Sequence, residues 1–190
     1  MNCIVWAVSL CSFALLSPVA FSQDARPSLP PLVGSQAATI TRAEVERALA
    51  VAPKTGIKDV ALRVVPMGSG YNVGVFAVRR SLVNGKPIPD AYQHHEVSEI
   101  YQVVSGEGTL VTGGTLEQST EMRKDDPSVV KLMGPTEQGI AISGGKSQRI
   151  GPGDIVVIPA NTPHGFTNLG PDGISYVLVR IDPPHFLKAR

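Results

Sequence analysis

Two stretches of the chain concentrate side chains able to do chemistry. The first reads Tyr92-Gln93-His94-His95-Glu96-Val97-Ser98-Glu99 and continues through Ile100 to Gly106. The second reads Gly153-Asp154-Ile155-Val156-Val157-Ile158-Pro159-Ala160-Asn161-Thr162-Pro163-His164-Gly165-Phe166-Thr167-Asn168. Three of the four histidines lie inside them. Imidazole nitrogens and carboxylates ligate divalent first-row metals. Two histidines and one carboxylate form a face that leaves positions open for water, substrate or dioxygen. His94 and Glu99 are close in sequence, and the fold must deliver His164 to them. Such a face suits Fe(II), Mn(II), Ni(II) or Zn(II). Along an extended strand neighbouring side chains point to opposite faces, so His94 and His95 do not both serve one metal.

The elements that must position these residues are read from periodicity. Residues 61–65, 71–78, 99–104, 108–112, 139–142, 154–158 and 173–181 are rich in β-branched and aromatic residues. Gly, Pro, Asn and Asp separate them, which predicts many short strands in a sandwich or barrel. Gly (19) and Pro (16) are abundant, as an all-β chain cut by turns requires. Residues 113–138 are polar and charged and carry no clear alternation, so a long inter-strand insertion is expected there. Near the N-terminus, Thr41-Arg42-Ala43-Glu44 is a capping-box pattern. Val45, Ala48, Leu49 and Ala52 follow at helical spacing and Pro53 stops the run, predicting one short helix over residues 42–52.

The two stretches resemble the motifs of the cupin superfamily. Cupins carry His-x-His, three or four residues, Glu, six residues and Gly in a first motif. Their second is Gly, five residues, Pro-x-Gly, two residues, His, three residues and Asn. The second is matched at Gly153, Pro159, His164 and Asn168, with Asn161 in place of the middle Gly. Asn tolerates a left-handed turn better than most residues. The first is matched at Glu99 and Gly106. With the four-residue spacing, His94 is the second histidine and Tyr92 stands where the first belongs. With the three-residue spacing, these are His95 and Gln93. The four-residue spacing is the commoner in cupins and favours His94. Over about residues 60–182 the resemblance implies an all-β, single-domain cupin, a double-stranded β-helix or jelly-roll barrel, with the short helix at its N-terminus. It implies one divalent transition metal, Fe, Mn, Ni or Zn, held by His94, Glu99 and His164, with His95 and Gln93 as alternatives. Tyr92 is then a fourth ligand or a nearby acid or base, and Tyr92 and Glu99 are the groups expected to move protons.

Other readings of the same residues stay open at this point. Glu99 can instead be the buried partner of an arginine such as Arg79 or Arg180, because a buried carboxylate needs a cation or a metal. Tyr101, Val103, Phe166, Tyr176 and Leu178 are candidates for the pocket wall or for plain core. Arg180 and the Arg79-Arg80 pair can bind an anionic substrate, although on surface strands arginines are ordinarily solvated. Gly106, Gly153 and Pro159 read as turn devices, Asn168 as a loop-ordering side chain, and His185 as an exposed tail residue.

The 190 residues suit one domain, with residues 57–190 as the barrel and 39–56 as the helical segment. Residues 1–22 carry no charged side chain and are mostly apolar, and Ala20-Phe21-Ser22 is a small-x-small pattern. They read as a secretory signal peptide, and residues 23–38 as a flexible linker. The expectation is export to the periplasm or beyond, with no stable membrane span after cleavage. Both cysteines, Cys3 and Cys11, lie in the leader, so the processed chain has no thiolate metal site. Net charge is +1 and no basic stripe argues for nucleic acid. The partner expected is a small-molecule ligand or substrate. The resemblance adds a second copy of the chain, since cupins commonly pair through their sheets. Two functions compete. One is a metal-dependent enzyme of dioxygenase, isomerase or lyase type acting on a small organic molecule. The other is a non-catalytic barrel that binds or senses a small molecule.

Overall fold

The computed structural model describes residues 37–187, apart from 53, 54, 69, 89 and 185. The leader, nearly all of the linker and His185 lie outside these. No helix among the described residues is long and apolar enough to cross a membrane.

The helix forms as its cap demands. Helix α1 spans Arg42–Ala50, with Thr41 as N-cap and both halves of the capping box in place. The Thr41 backbone N–H donates to the Glu44 carboxylate at 2.9 Å, and the Glu44 N–H donates to Thr41 Oγ1 at 3.2 Å. Arg63 ties the helix to the first strand through Glu44 at 2.7 Å. The helix ends with Val51 as C-cap, slightly earlier than the spacing predicts.

Eleven antiparallel strands follow: β1 (Gly56–Pro66), β2 (Asn72–Ser81), β3 (Ala91–His94), β4 (Ser98–Thr112), β5 (Thr115–Glu117), β6 (Thr120–Glu121), β7 (Thr136–Gly139), β8 (Ala141–Ser143), β9 (Lys146–Ile150), β10 (Ile155–Ile158) and β11 (His164–Asp182). The long strands β4 and β11 pair along most of their length. At one end they continue into β10 on one side and into β2 and β1 on the other. At the other end they continue into β9 on one side and into β3, β7 and β6 on the other. Two strands that serve both halves, bent at register shifts near Gly106 and Gly173, make a double-stranded β-helix barrel. This is the all-β architecture that the cupin resemblance implies.

Alternation decides what faces inward. Phe76, Val78 and Arg80 on β2, Glu99, Tyr101 and Val103 on β4, and Tyr176, Leu178 and Arg180 on β11 are all buried. The apolar members join Leu110, Ile150, Ile158, Phe166 and Ile174 in one core. Ile155 and Val157 on β10 point outward and are 64% and 65% exposed.

Two expectations are corrected, and one strand carries no sequence signal. The insertion at 113–138 is not a structureless loop: it contains β5, β6, a π-helical turn (Val129–Met133) and most of β7. These pieces are two to five residues long, too short to show a period. Strand β9, with the polar sequence KSQRI, also carries no such signal. Asn168 orders no loop; it is exposed on β11 opposite Thr109, and its side chain makes no hydrogen bond among the described residues.

Candidate metal centre

The three candidate ligands come from three strands. His94 ends β3, Glu99 is the second residue of β4 and His164 opens β11. Pairing of β11 with β3 sets His164 opposite Tyr92, and pairing of β11 with β4 sets Arg180 opposite Glu99. The side chains of His94, Glu99 and His164 are 3%, 1% and 3% exposed, and one ligand atom from each lies within 4.8 Å of the others. His94 Nε2 stands 3.2 Å from Glu99 Oε1, and His164 Nε2 stands 3.3 Å from Glu99 Oε2.

The far nitrogen of each ring is engaged. His164 Nδ1 lies 2.9 Å from the Thr162 carbonyl oxygen, which only accepts, so Nδ1 carries the proton. His94 Nδ1 lies 2.8 Å from Thr136 Oγ1. The Thr136 hydroxyl donates to the Gly134 carbonyl at 2.9 Å, so it accepts from His94. In its neutral form each ring therefore presents the Nε2 lone pair to the carboxylate. Lone pairs facing carboxylate oxygens repel unless a cation sits between them, and metal-binding histidines ordinarily donate their other N–H in this way. Donor separations of 3.2 and 3.3 Å match neighbouring ligands of one ion at about 2.1 Å bond lengths. The chemistry and spacing of this donor set fit a divalent metal.

Glu99 also has protein partners. Tyr101 donates to its Oε2 at 2.7 Å, and Arg180 Nε donates to its Oε1 at 2.8 Å. Arg180 Nη2 reaches Asp59 at 3.1 Å, and the guanidinium lies 4.9 Å from the centre of the Phe76 ring. Both readings of Glu99, metal-facing carboxylate and arginine partner, thus meet in one residue. Burial opposes its ionisation, but the Arg180 charge beside it, helped by any imidazole of the cluster that is protonated, holds the carboxyl well below its usual range. Burial lowers His94 and keeps it neutral, against the pull of Glu99. Burial, with the Glu99 charge, raises Tyr101 well above an ordinary phenol.

A cavity of about 250 Å³ opens over the cluster. Tyr92, Tyr101, Tyr176, Leu178, Arg80 and Arg180 form much of its wall, and Ser128, Leu132 and Met133 of the insertion close another side. Tyr92 stacks toward the His94 ring, centroids 6.3 Å apart and planes within 9°, and its hydroxyl lies 3.4 Å from Gln138 Nε2. Burial, then Asp90, pushes its phenol up to about 12, so it stays protonated at neutral pH.

The alternative ligands lie elsewhere. His95 turns outward, with Nε2 2.8 Å from Glu121 and Nδ1 3.4 Å from Asn161. Gln93 is half-buried and does not line the cavity. Of the candidate wall residues, Tyr101, Tyr176 and Leu178 line the cavity, whereas Val103 and Phe166 belong to the core. The solvated arginines expected on these strands are a further correction. Arg180 and Arg80 are buried at 3% and 7% exposure, because each shares its strand's inward row. Arg80 is held by Asp90 at 3.1 Å and by the Tyr176 hydroxyl at 2.9 Å. The row Tyr176, Leu178, Arg180 contained this information, since period-two alternation puts all three on one face. Nothing in the sequence marked Thr136, which lies in the patternless insertion.

No family model matches the chain, and no curated protein matches it. Among solved structures it is similar to a Bacillus halodurans protein at 12% identity, over 84% of this chain and 91% of that one, with a TM-score of 0.42. A Klebsiella pneumoniae protein described as having a double-stranded beta-helix domain matches at 18% identity, over 78% and 93% of the two chains, with a TM-score of 0.41. KdgF from Halomonas sp. matches at 21% identity, over 71% and 85%, with a TM-score of 0.36. The class itself follows from the strand order and register of this chain: a double-stranded β-helix barrel, with a buried His/Glu cluster that can hold a metal.

Proposed function

We propose that the chain is an exported, metal-dependent cupin enzyme acting on a small organic anion at His94, Glu99 and His164. The observation that carries this reading is the pair of imidazoles, each with its Nδ1 proton committed and its Nε2 turned to one buried carboxylate. A bound divalent ion, Fe, Mn, Ni or Zn, supplies Lewis acidity at the cavity floor. The cavity is smaller than the roughly 300–1,000 Å³ of pockets for drug-sized ligands, which favours a small substrate. Lys58, Arg80 and Arg180 balance Asp59, Asp90 and Glu99 charge for charge, so a divalent ion leaves the cavity positive and suited to an anion. Tyr92, protonated at neutral pH and facing the cavity, is the proton donor of a dioxygenase, isomerase or lyase type of reaction.

Elemental analysis of protein purified without a histidine tag tests this. Near one equivalent of a transition metal is expected, lost in His94→Ala and His164→Ala and kept in His95→Ala. A folded, metal-free protein that takes up no added metal sinks the proposal. The second reading, a non-catalytic binding barrel, is favoured by Tyr92 where a cupin histidine belongs and by a Glu99 already paired with Arg180. It predicts that metal-free protein binds a carboxylate such as succinate as tightly as metal-loaded protein, measured by calorimetry. Export rests on residues 1–22. N-terminal sequencing of the periplasmic or secreted protein is expected to start after Ser22, and an intact Met1 defeats it.

A further inference from the structure

The insertion between β4 and β9 does more than wall the cavity. Thr136, on β7, is fully buried at 0% exposure and stands 42 residues from His94 in sequence. Strand β7 pairs with β3 so that Thr136 lies directly opposite His94. The Thr136 hydroxyl has one proton, and it points to the Gly134 carbonyl at 2.9 Å. Toward His94 Nδ1, 2.8 Å away, the hydroxyl therefore offers only a lone pair, which requires the ring proton to sit on Nδ1. The Gly134 carbonyl is itself placed by a tight device: Gly134 has φ of 66°, and its N–H closes the π-helical turn on the Val129 carbonyl at 3.0 Å. Leu132 and Met133 of that same turn line the cavity.

We infer that Thr136 is a positioning residue for His94: its hydroxyl, oriented by the Gly134 carbonyl, locks His94 in the Nδ1–H tautomer and aims the Nε2 lone pair at the metal position. The inference rests on the metal reading for its consequence and on hydrogen-bond geometry for its cause, so the two are tested apart. A neutral imidazole free to choose presents a lone pair at Nε2 only part of the time. The locked ring presents it always and cannot rotate away. Losing such an outer hydrogen bond typically weakens metal binding about 10–100-fold.

The first measurement uses the metal-free full chain at mildly alkaline pH, where His94 is neutral. Long-range nitrogen–proton NMR correlations of the histidine rings are expected to show His94 as the Nδ1–H tautomer. An Nε2–H tautomer there overturns the inference, whether or not the protein ever binds metal. The second compares Thr136→Val and Thr136→Ser for zinc affinity by chelator competition. Valine is expected to weaken zinc binding by about 10–100-fold and to release the tautomer lock, and serine to restore both. A folded Thr136→Val protein that keeps wild-type zinc affinity and the Nδ1–H tautomer also overturns the inference. If the valine variant does not fold, the wild-type tautomer and the serine variant still decide. Wild-type protein that shows the lock but takes up no zinc leaves Thr136 as a histidine-orienting residue and removes the metal reading instead.

Discussion

Removing the Arg180 guanidinium would leave Glu99 and Asp59 without their cation, and Glu99 is 1% exposed. Breaking one side of a buried ion pair typically costs about 3–5 kcal/mol, because a charge is stranded in low dielectric. Arg180→Met is therefore expected to destabilise the metal-free protein by about that amount in urea denaturation. Combined with Glu99→Gln the loss should shrink, since the stranded charge is removed as well. A single-variant loss below about 1 kcal/mol would show that Arg180 is not what holds Glu99 ionised. The same residue explains how the site manages without metal: Glu99 has a cation and a phenol donor whatever occupies the position between the imidazoles. The alternation of β11 made its inward direction legible. The sequence offered Arg180 and Arg79 alike as partners of Glu99; the choice of Arg180 waited on register, because it lies 81 residues from Glu99.

At the scale of elements, the site depends on how β4 and β11 bend. Gly106 on β4 has φ of 70°, and a Cβ there would run into the Gly173 carbonyl and come within 3.0 Å of Ile174 Cα. A left-handed backbone alone costs a non-glycine residue roughly 1–3 kcal/mol, and the collision adds to it. Gly106→Ala is expected to lower stability by more than that backbone cost, read as a shift in the denaturation midpoint without a change in slope. An alanine variant as stable as wild type would mean that the two strands can cross without this approach. The glycine was legible as a turn device. What it serves is a close crossing inside a fifteen-residue strand rather than a turn between strands. The insertion was the least legible element. Its strands are too short for a period, yet they supply Thr136 behind His94 and Leu132 and Met133 at the cavity wall.

For the whole molecule, the outer face of the sheet is the conspicuous surface. Ile155 and Val157 on β10 and Val104 on β4 are 64%, 65% and 40% exposed. Strand β10 pairs only with β4, so its other edge is open among the described strands. Exposed apolar edge strands are sites of association unless covered. Pairing of two copies through this face is the expected assembly. Sedimentation velocity is expected to show a dimer that Val157→Lys converts to monomer. A monomer at all concentrations tested would remove this surface as the interface.

Read alone, the sequence determined the strand-rich class, the capped helix, the two motif stretches and which residues of a strand share a face. All of these follow from interactions between residues close along the chain: a capping box links residues three apart and strand alternation has a period of two. Tertiary structure decided which of His94 and His95 turns inward and that His164 meets His94 at Glu99. It also decided that Arg180 and Arg80 are buried counter-ions and that Thr136 orients a histidine. Those outcomes depend on strand register between distant segments, and register is fixed only when the whole inward face finds its core.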